Sequence, residues 1–168
     1  MNRFNLMTAL AATCLCAASA VPAGAQPPGS APAEKVIRDA YALTGRTSLK
    51  DDVAAQTAML APDFKVTFPK GKVITRAQWV QMAQEALVSL GPEVSVKIVI
   101  GPAKWQGDQV AFAVEQDMKA TLNQGATEHA IEQIQDSQDT WGLVGTQWEL
   151  HTSASLGERD WMDGKLQK

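Results

Sequence analysis

The chain has 168 residues, 45% of them hydrophobic and 20% charged, with 15 Lys and Arg against 18 Asp and Glu and a formal net charge of -3. This is an ordinary globular composition, and no run of Lys or Arg supplies the positive surface that a phosphate backbone or an anionic membrane requires. The composition therefore argues against nucleic acid as a partner.

Met1 to Ala25 reads as a secretory signal: Arg3 gives the positive start, Leu6 to Val21 is uncharged and apolar, and Ala23-Gly24-Ala25 offers small residues for cleavage before Gln26. Both cysteines, Cys14 and Cys16, fall inside this segment, so the expected mature chain of 143 residues has no thiol and must fold on its core alone. A periplasmic or secreted location follows, with no membrane association once the signal is gone. Residues 26–32, QPPGSAP, have three prolines and no apolar anchor, and read as a flexible leader.

The first helix is marked by Ala33, Val36, Ile37, Ala40 and Tyr41, one apolar stripe that turns Tyr41 inward, with Gly45 as its stop. A second helix runs from an N-cap at Ser48 to about Leu60, before Pro62. Phe64 to Phe68 alternates with period two, Pro69-Lys70-Gly71 turns, and Val73-Ile74 returns as a short hairpin. Thr75 and Gln78 form a capping box for a third helix carrying Trp79, Met82, Ala83, Ala86, Leu87 and Leu90, ended by Gly91-Pro92. Four strands of period two then follow, Val94 to Ile100, Gln109 to Leu122, Thr127 to Trp141 and Gln147 to Ser155. Helices first and a long meander afterwards predict an α+β architecture: a curved antiparallel sheet, bent into a cone, with about three N-terminal helices packed on its concave face.

This order of elements, with Leu60-Ala61-Pro62-Asp63-Phe64, Gly71 before Thr75-Arg76-Ala77-Gln78-Trp79, and Asp139-Thr140-Trp141 followed by Trp148, resembles the nuclear transport factor two-like superfamily, above all its SnoaL-like branch. The resemblance covers residues 33–156 and leaves 157–168 as a C-terminal tail. It implies a cone-shaped pocket, often a homodimer, and a range of activities that includes isomerases, dehydratases and hydrolases. In ketosteroid isomerases of that superfamily a catalytic Asp precedes a Pro on the early hairpin; here the dipeptide is Phe68-Pro69, which removes that base. Tyr41 occupies the helix where those enzymes carry an oxyanion-binding tyrosine.

Within the strands, Val110, Phe112, Val114, Gln116, Met118, Ala120 and Leu122 form an inward stripe that is apolar except for Gln116. A turn at Gln124-Gly125, or over Asn123 to Ala126, would set Gln116 opposite Gln133, Val114 opposite Gln135 and Val110 opposite Asp139. The next inner stripe is then His129, Ile131, Gln133, Gln135, Ser137, Asp139 and Trp141, polar for a surface under helices. On the last strand Trp148, Leu150, Thr152 and Ala154 face inward and His151 outward. Asp139, beside Trp141 and Trp148, is the candidate acid or base, because apolar neighbours raise a carboxyl pKa, and Tyr41 is its candidate partner. Gln116, Gln133, Gln135, Trp79, Trp141, Trp148, Phe112 and Met118 are the candidate ligand-binding residues. His129 and His151 have no companions at metal-ligand spacing, and no nucleophile elbow or phosphate loop occurs, so neither a metal nor a cofactor is implied. The expected function is binding of a small neutral molecule in an apolar pocket, with proton transfer by Asp139 in a lyase, isomerase or hydrolase, or a non-catalytic dimeric module, as the alternatives.

N-terminal sequencing of exported material is expected to begin at Gln26; a mature protein that retains Arg3 would overturn the signal reading.

Overall fold

The computed structural model describes residues 30–43 and 49–167. The expected signal, most of the leader, the Gly45 stop and the Ser48 cap lie outside the described residues.

Helix α1 (Ser30–Leu43) buries Ala33, Ile37 and Tyr41 at intervals of four residues, while Val36 of the same expected stripe is 54% exposed. The helix starts inside the segment expected as leader; Pro32 lies in its first turn, where a missing N–H leaves no bond unmade. Helix α2 (Leu49–Ala58) stops before Leu60, which already opens strand β1 (Leu60–Thr67). Pairing of β1 breaks between Leu60 and Lys65, so Pro62 sits where no ladder hydrogen bond is required of it. After a turn at Pro69–Gly71 and strand β2 (Val73–Thr75), helix α3 (Arg76–Ser89) begins with the expected capping box: the Gln78 N–H donates to Thr75 Oγ1, and the Thr75 N–H donates to Gln78 Oε1 at 2.9 Å. Trp79, Ala83 and Ala86 are its buried face.

The remainder is sheet: β3 (Leu90–Ile100), β4 (Lys104–Gln106), β5 (Gln109–Gln124), β6 (Thr127–Val144), β7 (Gln147–Met162) and β8 (Lys165–Leu166). The strands lie in the order β2-β1-β7-β6-β5-β3, with β4 against β5 and β8 against β7. The sheet curls into a half-barrel around the helices, the cone-like α+β arrangement expected. It is mixed rather than wholly antiparallel, because β1 runs parallel to β7. The sheet also continues past Leu156, where the domain was expected to end: β7 pairs with β6 as far as Met162, and β8 folds back on it.

Two registers differ from expectation. The β5–β6 turn is Gly125-Ala126, with Gly125 at φ +65°, so that Gln116 faces Gln135, Val114 faces Ser137 and Val110 faces Trp141. The expected pairs are wrong by two residues, a shift that leaves every side chain on its expected face because the side-chain period is two. The β6–β7 pairing carries two bulges. Trp141 faces Leu150 but Thr140 faces Thr152, which makes His151 an extra residue; Ser137 faces Ser155 but Asp136 faces Gly157, which makes Leu156 another. The first bulge reverses the alternation, bringing Ser153 opposite Asp139 and leaving Thr152 exposed and Ala154 opposite Gln138. Thr152 and Ala154 therefore do not share the inner face, as was expected. The second bulge brings Glu158 opposite Gln135 and Asp160 opposite Gln133.

Gly142 lies next to the first bulge, one residue past its break. A Cβ there would lie 3.0 Å from Cδ2 and Nε2 of His151, whose Nδ1 is 2.8 Å from Asp63 Oδ1 on β1. Gly142→Ala is expected to push the imidazole off Asp63 and to cost about 1 kcal/mol in chemical denaturation; an unchanged midpoint would show that the close approach is easily relieved.

Candidate functional site

The concave face of β6 is built from polar side chains taken out of water. Gln133, Gln135, Ser137 and Asp139 are all buried, and the fully enclosed Trp141 follows them on the same face. Alternation along the strand puts them there, and each then needs partners from its neighbours.

Asp139 has the most. Tyr41 Oη, from α1, donates to Asp139 Oδ2, and Ser153 Oγ, brought inward by the bulge, donates to Oδ1. The Trp141 indole N–H in turn donates to Tyr41 Oη at 3.0 Å, and the two rings meet edge to face at 5.4 Å. Burial raises the Asp139 carboxyl to about 6, while the hydroxyls of Ser153, Tyr41 and Ser137 pull it back toward the ordinary range. Burial, and next the charge of Asp139, holds Tyr41 well above its usual value, which keeps it a hydrogen-bond donor across neutral pH.

A cavity of about 70 Å³, partly open to solvent, lies beside this network. Tyr41, Gln116, Gln135, Asp139, Trp141 and Ser153 give it one polar side, and Leu60, Phe64, Trp79, Ile98 and Leu150 give it an apolar one. Phe64 and Trp79 pack edge to face at 6.3 Å, which fixes the wall contributed by β1 and α3. Gln135, one of the lining residues, has a side-chain nitrogen, Nε2, that is buried and has no hydrogen-bond partner. Leaving such a donor unpaired costs about 1 to 3 kcal/mol.

The cavity thus gathers Tyr41, Trp79, Gln116, Gln135, Asp139 and Trp141 from the residues singled out in the sequence. The other four lie elsewhere. Gln133 faces Met118 and turns away from the cavity, its amide N–H₂ donating to Glu158 Oε1 at 2.9 Å and Asp160 Oδ1 at 2.8 Å. Phe112 and Met118 are solid core, Phe112 beneath the Arg38 guanidinium at 5.3 Å. Trp148 packs edge to face on Trp105 at 5.8 Å and lines a separate, more open hollow of about 530 Å³ with Ala33, Val36 and Met59. Ser153 and Gln56 line the cavity without having been picked out, and Glu158 and Asp160 belong to the segment read as a tail. Glycine inside a strand was the available signal: Gly142 and Gly157 each sit at a bulge, as interior strand glycines commonly do. His129, placed on the inner stripe by its spacing, bonds through Nδ1 to Asp163 at 2.8 Å. Among the described residues no three His, Cys, Asp or Glu side chains come together as metal ligands.

No family model matches the sequence, and no curated protein matches it. Solved structures do. A conserved protein from Planctomyces limnophilus superposes with a TM-score of 0.62 at 11% identity, covering 74% of this chain and 94% of that one. A scytalone dehydratase-like protein from Novosphingobium aromaticivorans gives 0.57 at 11% identity over 79% and 87%, and a hexachlorocyclohexane dehydrochlorinase, LinA type 2, gives 0.59 at 10% identity over 81% and 93%. At such identities the likeness speaks for the fold alone. The chain has the nuclear transport factor two-like fold that its sequence resembles.

The raised pKa of Asp139 makes stability depend on pH. The folded state holds a proton between about 4 and about 6 that the unfolded state has released, so stability is greatest below that window and falls as pH rises through it, by about 3 kcal/mol for this group. In Asp139→Asn this fall should disappear from the difference between denaturation midpoints measured in acid and at neutral pH; an equal fall in both proteins would mean that Asp139 is ionised throughout.

Proposed function

We propose that the chain is an exported small-molecule-binding domain whose ligand enters the cone and places a carbonyl or hydroxyl oxygen on Gln135 Nε2, with its apolar body against Phe64, Trp79 and Leu150. The observation that carries this reading is the buried, unpartnered amide donor of Gln135, a residue that lines the cavity. A dry core would place a hydrocarbon at that position, since a buried amide without a partner is a net cost. The volume, about half that of a cavity of roughly 150 Å³ that accepts benzene, suits a ligand of few atoms or one that extends through the open side. Tyr41 and Asp139 then select for a neutral polar group, because a carboxylate ligand would meet a carboxyl already short of solvation.

Catalysis is the second reading, and it is favoured by one specific feature: Asp139 carries a proton in mild acid while hydrogen-bonded to a tyrosine that stays neutral. A carboxyl and a phenol so arranged can donate to a developing oxyanion or pass a proton to and from carbon beside a carbonyl. A homodimer formed through the outer face of the sheet, where Val99 is 48% and Leu156 41% exposed, fits either reading.

Native mass spectrometry of protein purified from its natural compartment tests the binding reading and reports subunit number in the same spectrum. A retained small molecule is expected, lost in Gln135→Leu, which should be at least as stable as the parent because it removes the unpaired donor. Ligand retention undiminished in Gln135→Leu would sink the assignment. Turnover of hydrophobic ketones with a pH dependence near 6, absent in Asp139→Asn, would establish the catalytic reading instead.

A further inference from the structure

The cavity around Asp139 has a neighbour. The hollow of about 530 Å³ beside Trp148 opens to solvent and has an apolar wall made by Ala33 and Val36 of α1, Ala58 of α2 and Trp148 of β7. Val36 is 54% exposed on this wall, a hydrocarbon side chain that the core leaves uncovered. One side of the wall is rigid: Trp148 packs edge to face on Trp105, and the Trp105 indole N–H donates to Glu34 Oε1 at 3.2 Å.

Among the described residues Met59 alone lines both the hollow and the cavity. The same two elements run past both. On β7, Trp148 lines the hollow, and Leu150, two residues on, lines the cavity; on α1, Ala33 and Val36 line the hollow and Tyr41 the cavity. From Ala33 to Tyr41 is roughly 12 Å along the helix, by its rise per residue. The backbone around Met59 is held from two sides. Its carbonyl accepts from the Leu150 N–H at 2.8 Å, and the Arg76 guanidinium donates to the carbonyls of Thr57 at 3.1 Å and Leu60 at 3.3 Å. The Met59 side chain is half-buried; unbranched and with three rotatable bonds, it can turn aside without moving that backbone. A fixed backbone carrying a movable side chain between two compartments is the geometry of a gate.

We propose that hollow and cavity are two compartments of one binding site gated by Met59, and that the ligand is an elongated neutral molecule with its polar end on Gln135 and a hydrocarbon body that passes Met59 to lie against Val36 and Trp148. This rests on the binding reading of the cavity and adds the length and shape of the ligand. The cavity, at about 70 Å³, takes only a few atoms, so the rest of a larger ligand must leave it, and the apolar wall continues in the hollow. Among the described residues Glu149 is the one charged group that lines the hollow, which disfavours an anionic tail.

Titration of the isotopically labelled mature chain with 2-alkanones from 2-butanone to 2-decanone, followed by NMR, tests this. Affinity is expected to keep rising with chain length, by about two- to fourfold per methylene, after the ketone has outgrown the cavity. The Trp148 indole should shift with the long members alone, and the Trp141 indole with all of them. Val36→Asp, at an exposed position, and Met59→Trp, which fills the passage, should each remove the gain from length and bring 2-decanone down to the affinity of the short members. The proposal is overturned if affinity stops rising once the cavity is filled, if Trp148 does not shift, or if either variant keeps the full gain. Short ketones that still bind, and are lost in Gln135→Leu, would then leave the cavity reading standing; a series with no binding member overturns both. Trp148 shifts that follow protein concentration instead of ketone would assign the hollow to a second copy of the chain and overturn the proposal as well. The titration of the unmodified chain decides these points even where a variant fails to fold.

Discussion

Everything on the concave side of this sheet answers to one constraint: strand β6 turns four consecutive inward positions, Gln133, Gln135, Ser137 and Asp139, into polar groups without water. A buried polar side chain is tolerable only when its donors and acceptors are met. Ser137 Oγ reaches the Val114 carbonyl of β5 at 3.2 Å, Asp139 takes hydroxyls from α1 and β7, and Gln133 takes two carboxyls from β7. Tyr41 must therefore sit at one position on α1, and α1 must dock at one height on the sheet, for the Asp139 bond and the Trp141 bond to form together. The apolar side of α1 would allow sliding; the polar network does not.

The bulges are the means by which β7 meets that demand. An unbulged β7 would carry Thr152 to Asp139 and leave Ser153 outside. His151 as an extra residue reverses the alternation, and Leu156 as another sets the phase that brings both Glu158 and Asp160 to Gln133. Each bulge also increases local twist, which an 18-residue β6 and a 16-residue β7 need in order to curl around three helices. Curvature and site thus have the same origin.

What the sequence made legible was whatever rests on period and capping: three helices, Tyr41 facing inward, the Thr75–Gln78 box, and the polar inner stripe of β6. Faces survived even where pairings did not, because the β5–β6 register differs by an even number of residues. What it left unread rests on odd displacements. A bulge has no periodic signature of its own, so Ser153 passed for an outward residue and Thr152 for an inward one; only the interior glycines Gly142 and Gly157 hinted at the breaks. Ending the last strand at Ser155 followed from the same cause, since a period-two pattern read through Leu156 fails just where the second bulge interrupts it. Gln133 was placed on the correct face but assigned to the wrong neighbours, because its partners lay in the segment read as tail.

The uneven satisfaction of the β6 stripe bears on what the cavity can do. Two of about four lone-pair sites on the Asp139 carboxyl are engaged by Tyr41 and Ser153, so the resting carboxyl is held in one orientation and a reacting group must approach it by the sites that remain. Gln135 lies two residues away on the same face of β6 and offers an unused donor. A ligand oxygen bound to Gln135 would thus be positioned by a group that does not ionise, with the proton-carrying group as its neighbour. On the proposed reading such a division would separate anchoring from proton transfer, with ligand retention following Gln135 and any chemistry following Asp139. Binding therefore stands as the more economical reading: it requires only the donor that folding has left unpaired, whereas catalysis requires in addition that a reacting group reach the sites on Asp139 that Tyr41 and Ser153 leave open.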